Sequence, residues 1–307
     1  MSIDIQQAHA FLNGYFGHEP AELAYLGAGA WSRCFGFRHN QVDLVIRFGK
    51  YVDDFRKDQL AYAYTAPGLP IPQVVDIGTA FDGYYAISTR AYGMPLESLA
   101  DDAWLAMIPA LVSMLEALRL ANIAATSGFG GWGSDQQAPH SSWRDYLLST
   151  GQDSPQQRTH GWRARLSSMA EGEASFRWGL EMLRKVASDS APRCLIHCDL
   201  SNKNVLVQNT AISGVFDWGC SLYGDHLYEL AWFEFWAPWT PKLDIAALRF
   251  ALEQHWKTIG YDPQNKAERL LACYLHIGLE HLAYNAYLGD WETLMATARR
   301  MHVLAAV

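Results

Sequence analysis

The chain has few charged residues, and cations are the scarcer kind. Charged side chains make up 18% of the 307 residues, and 24 lysines and arginines stand against 32 aspartates and glutamates, for a formal net charge of −8. This balance argues against nucleic acid or an anionic membrane surface as a partner, because both attract basic proteins. A net negative charge keeps many proteins soluble, and it equally favours encounter with a cationic small substrate.

Cysteine is also scarce. Five cysteines, at positions 34, 194, 198, 220 and 273, form an odd and scattered set. This argues against a disulfide framework and predicts a reducing, cytoplasmic location. The spacing of the cysteines and histidine between positions 194 and 220 matches no closed zinc motif. The N-terminal residues lack the basic and apolar regions of a secretory signal.

Long uncharged apolar runs are absent too. The longest candidate, residues 105–125, contains Glu116 and Arg119, whereas a membrane span needs about 18 uncharged apolar residues. We expect a buried helix there. Half of the residues are hydrophobic, which predicts a globular protein with a sizeable core.

The hydrophobic pattern changes near residue 92. Before it, a helix over 5–15 and a helix over 53–63 accompany strands that flank a glycine turn at 27–32 and strands at 43–48, 74–80 and 84–89. After it, helices are predicted over 101–125, 142–150, 160–188, 225–236, 244–258 and 265–304, with short strands near 194–196, 204–208 and 212–216. The sequence therefore predicts an α+β fold, with a small antiparallel β lobe over residues 1–92 and a mainly helical lobe over residues 93–307.

The most informative stretch lies between His197 and Asp217. Asp199 follows the histidine by two residues, Asn204 follows Asp199 by five, and Asp217 closes an apolar run thirteen residues later. Phosphoryl transfer in kinases uses a carboxylate that orients the attacking hydroxyl, then an amide and a carboxylate that hold Mg²⁺. We predict Asp199 as the catalytic residue and Asn204 and Asp217 as metal ligands. Lys203, inside the loop, is either a phosphate contact or a solvated lysine.

A glycine turn precedes this stretch. Between Gly27, Gly29 and Ser32, backbone N–H groups and one hydroxyl are predicted to approach the phosphates of a nucleoside triphosphate. The turn lacks the G-K-[ST] of a Walker loop. A crossing segment, residues 90–95, follows the last strand of the first lobe. The base is expected against it, with its edge read by the backbone from Thr89 to Ala91.

A kinase also needs a cation on the next strand, paired with an acid on the following helix. Arg47 stands where the V-A-I-K pattern has lysine, and Lys57 is an alternative phosphate cation. The paired acid is Asp54 or Asp58, and the usual glutamate is missing. We predict Arg47 and Asp58 at the nucleotide.

An acidic, tryptophan-rich helix follows Asp217. Asp225 is expected to cap its N-terminus. Aromatic faces and carboxylates suit a polyhydroxylated amine through stacking and charge-assisted hydrogen bonds. The predicted substrate contacts, besides Asp199, are Glu229, Trp232, Glu234, Trp236 and Trp239. Glu280, Tyr284 and Asn285 on the late helix are further candidates.

These residues resemble the aminoglycoside phosphotransferase family of the kinase-like fold. The resemblance covers nearly the whole chain and rests on residues 69–72, 75–78, 87–88, 126–130, 143–145, 204–206, 217–218, 223–225, 228–229 and 236–239. General kinases lack the segments outside the catalytic motif, which makes these segments specific. The loop at 200–203 and the stretch around Trp232 and Glu234 depart from the family pattern.

The resemblance implies a bilobal fold, Mg²⁺, and ATP- or GTP-dependent phosphorylation of an aminoglycoside hydroxyl, with hygromycin B as the expected acceptor and antibiotic resistance as the result. A monomer is expected, in the cytoplasmic location that the cysteines predict. Two alternatives stay open: a kinase of the same fold for another aminoglycoside such as apramycin or for a metabolite such as homoserine or choline, and a non-catalytic nucleotide-binding module.

Overall fold

The computed structural model describes residues 3–29, 31–201 and 203–306, which divide into two units. The first unit contains the residues up to Leu99 together with 133–136 and 201–220, and the second contains 100–132, 137–200 and the residues from Ser221 onward. The predicted boundary near residue 92 therefore differs from the structure, which assigns the segment with Asn204 and Asp217 to the first unit.

The first unit is built on an antiparallel sheet. Within the described residues it has five strands, the number that the sequence predicts, and their order is β1-β2-β3-β5-β4. The strands are β1 (Ala21–Ala28), β2 (Ser32–His39), β3 (Val42–Gly49), β4 (Val74–Ala80) and β5 (Gly83–Thr89), and the helices of this unit are α1 (Ile5–Phe16) and α2 (Val52–Ala61).

Strand alternation decides which side chains this sheet buries. Phe35 and Phe37 of β2 and Ile46 and Phe48 of β3 are almost fully buried and pack with Leu12 of α1. Successive side chains on a strand point to opposite faces. The intervening positions of β3, including Arg47, therefore face the other side of the sheet.

A second sheet in the first unit comes from distant segments. β6 (Met94–Pro95), β9 (Val205–Gln208) and β10 (Ala211–Val215) pair in the order β10-β9-β6. Pro95 pairs with Leu206 and Met94 with Val207. This pairing explains the unit boundary, because it joins the crossing segment to the strands that carry Asn204 and Asp217.

The second unit is mainly helical, as predicted. Its helices are α3 (Asp101–Leu120), α4 (Trp143–Ser149), α5 (Trp162–Leu166), α6 (Ala170–Val186), α7 (Leu227–Trp236), α8 (Ile245–Thr258), α9 (Lys266–Leu288) and α10 (Trp291–Ala305). A small sheet pairs β7 (Gly130–Gly131), β11 (Leu222–Gly224) and β8 (Cys194–Ile196) in that order. The helix predicted over 225–236 begins at Leu227, where the Asp225 carboxylate accepts a hydrogen bond from the Leu227 N–H at 3.0 Å.

Two long helices of the sequence prediction are each divided in the structure. The helix predicted over 265–304 breaks at Gly289, whose left-handed φ of 75° ends α9, and Asp290 then caps α10 through the Thr293 N–H. A left-handed glycine is a common helix stop. The helix predicted over 160–188 is interrupted between Leu166 and Ala170.

Helix α3 is long and apolar enough to span a membrane by length and composition, with 44% of its most apolar window buried. Its buried residues include Trp104, Met107, Leu111 and Leu118, and it packs against α8 and β8. It therefore serves as a core helix of the second unit, as the sequence predicts.

Candidate active site

A cavity of about 430 Å³ lies within the first unit. Apart from the alternative cation Lys57, the first-unit residues predicted at the nucleotide and metal line it: Gly27, Gly29, Ser32, Arg47, Asp58, Thr89, Ala91, Asn204 and Asp217. These residues come from the glycine turn, from β3, α2 and β5, and from the segment that β9 and β10 carry. Its volume falls in the range of ordinary small-molecule sites.

The glycine turn leaves open space beside its backbone. Gly27 has a φ of 154°, which side-chain-bearing residues rarely adopt, and a Cβ there would meet nothing within 4 Å. The Gly29 N–H donates to the Ser32 carbonyl at 3.0 Å, which closes the turn; Ala30 lies outside the described residues. Glycine is therefore needed here for backbone conformation, and the free space suits a ligand.

Arg47 and Asp58 form an ion pair on the cavity wall. Their side chains are 12% and 5% exposed. Burial acts to lower the pKa of Arg47, but the Asp58 carboxylate, and to a lesser extent Asp217, raise it above its ordinary value. The acid that pairs with this cation is thus Asp58 rather than Asp54.

Helix α2 also holds the turn that follows Asp217. Oδ1 of Asp58 accepts a hydrogen bond from the Trp218 N–H at 2.7 Å, and Nζ of the buried Lys57 donates to the Gly219 carbonyl at 2.9 Å. Lys57 is not among the cavity-lining residues, so it supports the turn and does not provide the alternative phosphate cation.

Asn204 and Asp217 meet at the open end of a hairpin. Val205 pairs with Val215 in β9 and β10, and the Phe216 N–H donates to the Asn204 carbonyl at 3.1 Å. Amide and carboxylate oxygens are hard ligands, and Mg²⁺ binds through one or two protein carboxylates and substrate phosphates. Among the described residues, no group of three or more His, Cys, Asp and Glu side chains is placed to hold a metal. The pair therefore fits a magnesium site in which these two side chains would supply the protein oxygens.

The apolar side of the cavity adjoins the crossing segment. Leu26, Val45, Ile71, Leu206 and Phe216 line it. The N–H groups of Thr89 and Arg90 donate to the carbonyls of Gln73 and Asp43, at 2.9 and 3.1 Å. The predicted contact of a base with Thr89 to Ala91 therefore cannot use those two N–H groups.

Asp199 lies in the second unit, in the loop after β8, and is half-buried. The Glu229 carboxylate of α7 holds this loop: Oε1 accepts hydrogen bonds from the N–H groups of His197 and Cys198, the latter at 3.2 Å. Burial raises the pKa of Glu229 to about 7, although the two backbone hydrogen bonds act to lower it.

Backbone strain marks the same sequence stretch. Cys198, Lys203 and Asp217 all have left-handed φ values, of 67°, 64° and 65°. Residues with a Cβ avoid this region unless the surrounding structure holds them there, and such residues concentrate at functional sites. Each lies beside or at a residue predicted for chemistry.

Three predicted substrate contacts are not exposed. Glu229, Trp232 and Glu234 are 2%, 4% and 9% exposed, and Glu234 binds Tyr274 and, at 2.8 Å, Arg249. These three side chains therefore do not form the predicted substrate-facing stripe, because α7 is buried on nearly all sides. Helical spacing alone does not reveal which face of a helix is open.

The end of α7 is accessible. Trp239 is 42% exposed, its ring lies 5.1 Å from that of Trp236, and the His281 ring lies 4.6 Å from Trp236. Glu280, next to His281, is exposed. We call Trp236, Trp239 and His281, together with Glu280 beside His281 in the sequence, the aromatic–acid patch.

Comparison with known proteins decides the family. The model of the phosphotransferase enzyme family (APH) matches residues 50–262. The chain belongs to this family. The phosphotransferase is 30% identical over 275 residues to the hygromycin-B 4-O-kinase of Escherichia coli, covering 89% of this chain and 77% of that one.

Solved structures agree with this assignment. The phosphotransferase superposes on the aminoglycoside phosphotransferase APH(4)-Ia with a TM-score of 0.85 and 28% identity, covering 99% of each chain. A thermostable mutant of APH(4)-Ia in ternary complex with AMP-PNP and hygromycin B gives a TM-score of 0.83 at 28% identity, covering 98% of each chain.

Sequence reasoning missed several supporting contacts of the phosphotransferase. The bond from Asp58 to the Trp218 N–H joins residues 160 positions apart, and the bond from Glu229 to His197 spans 32 positions. No local sequence pattern predicts either hydrogen bond. His281 was missed because a histidine on an apolar helix carries no spacing signal of its own.

Proposed function

We propose that this phosphotransferase transfers the γ-phosphoryl group of ATP or GTP to a hydroxyl of an aminoglycoside, with hygromycin B as the favoured acceptor. The observation that carries the proposal is the first-unit cavity, which gathers the glycine turn, the Arg47–Asp58 pair, Asn204 and Asp217. The similarity to a hygromycin-B 4-O-kinase over 89% of the chain supports the choice of acceptor.

The nucleotide enters the cavity with its base on the apolar side and its phosphates toward the polar residues. Gly27 and Gly29 let backbone N–H groups approach the phosphates, and the guanidinium of Arg47 contributes positive charge. Asp58 keeps that guanidinium in place, since it is bonded at the same time to the backbone beside Asp217.

Asn204 and Asp217 are the residues that would hold Mg²⁺. When bound, the ion would neutralise negative charge on the phosphate oxygens during phosphoryl transfer. The protein's part is to fix two oxygen ligands at the end of one hairpin, where Asp217 is kept in a left-handed conformation.

Asp199 orients the acceptor hydroxyl and accepts its proton as the new oxygen–phosphorus bond forms. The bond from the γ-phosphorus to its bridging oxygen breaks, and the nucleoside diphosphate leaves. Glu229 acts indirectly, since its carboxylate binds the backbone that leads into Asp199. The loop thereby presents the carboxylate in one conformation before the acceptor binds.

The aromatic–acid patch is the proposed acceptor-binding surface. The exposed indole of Trp239 can stack on a sugar ring and attract an ammonium group, and the Glu280 carboxylate can add a charge-assisted hydrogen bond. The net charge of −8 also favours encounter with a cationic antibiotic. Trp232 and Glu234 support this surface from within the helix and do not contact the acceptor.

A cytoplasmic monomer remains the expectation for the enzyme. The five cysteines, all within the described residues, are free thiols. Such a set is compatible with a reducing compartment.

A coupled ADP-release assay across an acceptor panel tests the proposal. The panel contains hygromycin B, apramycin, a kanamycin-type drug, choline and homoserine. We expect turnover with hygromycin B and protection of a sensitive bacterium that expresses the chain. Turnover of choline or homoserine with none on any aminoglycoside would overturn the proposed acceptor class.

A further inference from the structure

Lys203 lines the first-unit cavity beside Asn204. Among the described residues that line the cavity, it is one of three cations, with Arg47 and Arg90. Arg47 is committed to Asp58, and the Arg90 guanidinium lies over the Tyr92 ring at 4.6 Å. Of these three cations, only Lys203 is exposed, and it lies next to Asn204 in the sequence. Its flexible stem lets the ammonium reach a molecule bound in the cavity.

The backbone of Lys203 is held by a dedicated acid. Its N–H donates to Oε1 of Glu97 at 2.8 Å, and its φ is 64°. Glu97 lies just after β6, whose pairing with β9 brings this segment alongside the loop. Because the left-handed region is unfavourable for a residue with a Cβ, the conformation depends on such a contact.

Glu97 engages the backbone N–H of Lys203, not its ammonium. Burial raises the pKa of Glu97, and the Lys203 N–H and charge act to lower it. A solvated loop lysine requires neither a strained backbone nor a half-buried acid to hold it. The arrangement fixes where the lysine leaves the chain and aims it at the cavity that it lines.

We propose that the Lys203 ammonium binds the terminal phosphates of the nucleoside triphosphate, with Glu97 as its positioning residue. Apart from Lys203, the charged residues described in the lining are two carboxylates, Asp58 and Asp217, and two cations, Arg47 and Arg90. A triphosphate carries more negative charge than this lining balances without Lys203. The inference rests on the proposed use of a nucleoside triphosphate, but it does not depend on which acceptor is phosphorylated.

Equilibrium binding to Lys203→Met tests the inference without turnover. The ligands are AMP-PNP, its guanine counterpart and AMP, each with Mg²⁺. A charge-assisted hydrogen bond contributes about 10- to 100-fold in affinity. We expect Lys203→Met to weaken the triphosphate analogue by about that factor and to leave AMP unchanged, and Lys203→Arg to retain most of the affinity.

Lys185→Met is the matched control, since Lys185 is an exposed lysine at the end of α6. Glu97→Ala, which releases the backbone but keeps the lysine, should weaken the analogue by a smaller factor. Unchanged analogue binding by Lys203→Met, or equal losses for the analogue and AMP, would overturn the inference. If the wild type binds neither triphosphate analogue, the proposed function itself fails. If the wild type binds an analogue and Lys203→Met binds it equally well, the role of Lys203 is wrong and the proposed function stands.

Discussion

Replacing Glu229 by glutamine separates the two roles of a single buried carboxyl group. Glu229 is 2% exposed, and burial raises its pKa from 4.5 to about 7. Between these values the folded protein keeps a proton on Glu229 that the unfolded chain has released. The contribution of this group to stability is therefore fully present below pH 4.5 and is lost as the pH rises through 7.

The size of this effect follows from the two pKa values. Each pKa unit corresponds to about 1.4 kcal/mol, so the wild type should lose about 3 kcal/mol relative to Glu229→Gln between pH 4.5 and pH 8. Glutamine keeps an oxygen that accepts from the His197 and Cys198 N–H groups but does not titrate. Alanine removes that acceptor and leaves two donors unpaired, at about 1–3 kcal/mol each.

Urea unfolding of both proteins at pH 5 and pH 8 measures the difference directly. Glu268→Gln, at an exposed position of α9, controls for the loss of one carboxyl group. We also expect Glu229→Ala to reduce kcat more than Glu229→Gln, because the loop before Asp199 loses its acceptor. Parallel pH dependences of the wild type and Glu229→Gln would refute the reasoning.

Three further substitutions probe the cavity and the patch. Asp58→Asn leaves the Arg47 guanidinium unpaired and should destabilise the protein by about 3–5 kcal/mol in urea unfolding. It should also raise the nucleotide KM. The control is Asp53→Asn, at an exposed ion pair, which should change urea unfolding little. In Gly93→Ala the new Cβ would lie 2.5 Å from the Val207 carbonyl oxygen, at a φ of 147°. Tm should therefore fall, with a loss of about 1–3 kcal/mol in the free energy of unfolding. The control is Gly131→Ala, where a Cβ meets nothing within 4 Å, and its Tm should be nearly unchanged. Trp239→Ala should raise the aminoglycoside KM about 10-fold or more without altering the nucleotide KM, and an unchanged aminoglycoside KM would exclude this indole as a contact.

The cavity residues could be predicted because each sits in a local pattern. Gly27 and Gly29 lie where β1 gives way to the turn before β2, Arg47 lies on the alternating strand β3, and the spacing from Asp199 to Asn204 is short. The alternation of β2 and β3 also predicts which face is buried, since strand side chains have a period of two. Local spacing is enough where one segment carries the whole signal.

The supporting contacts could not be predicted in the same way. Glu229 and Glu234 share a helix with aromatic residues, and a helix that is apolar on all sides does not reveal which face meets a ligand. β6 has two residues, too few for a pattern, and yet its pairing determines the boundary of the first unit. These features depend on contacts between distant segments, and one sequence does not encode them locally.

Transfer of a labelled γ-phosphoryl group from nucleotide to hygromycin B tests the central claim most directly. With wild-type protein and Mg²⁺, mass spectrometry should detect one labelled phosphoryl group on the antibiotic for each nucleoside diphosphate released. Asp199→Asn should abolish most of this transfer while binding of AMP-PNP persists, because the nucleotide residues lie in the first unit. Near-wild-type turnover by Asp199→Asn, or release of diphosphate with no labelled antibiotic, would contradict the account.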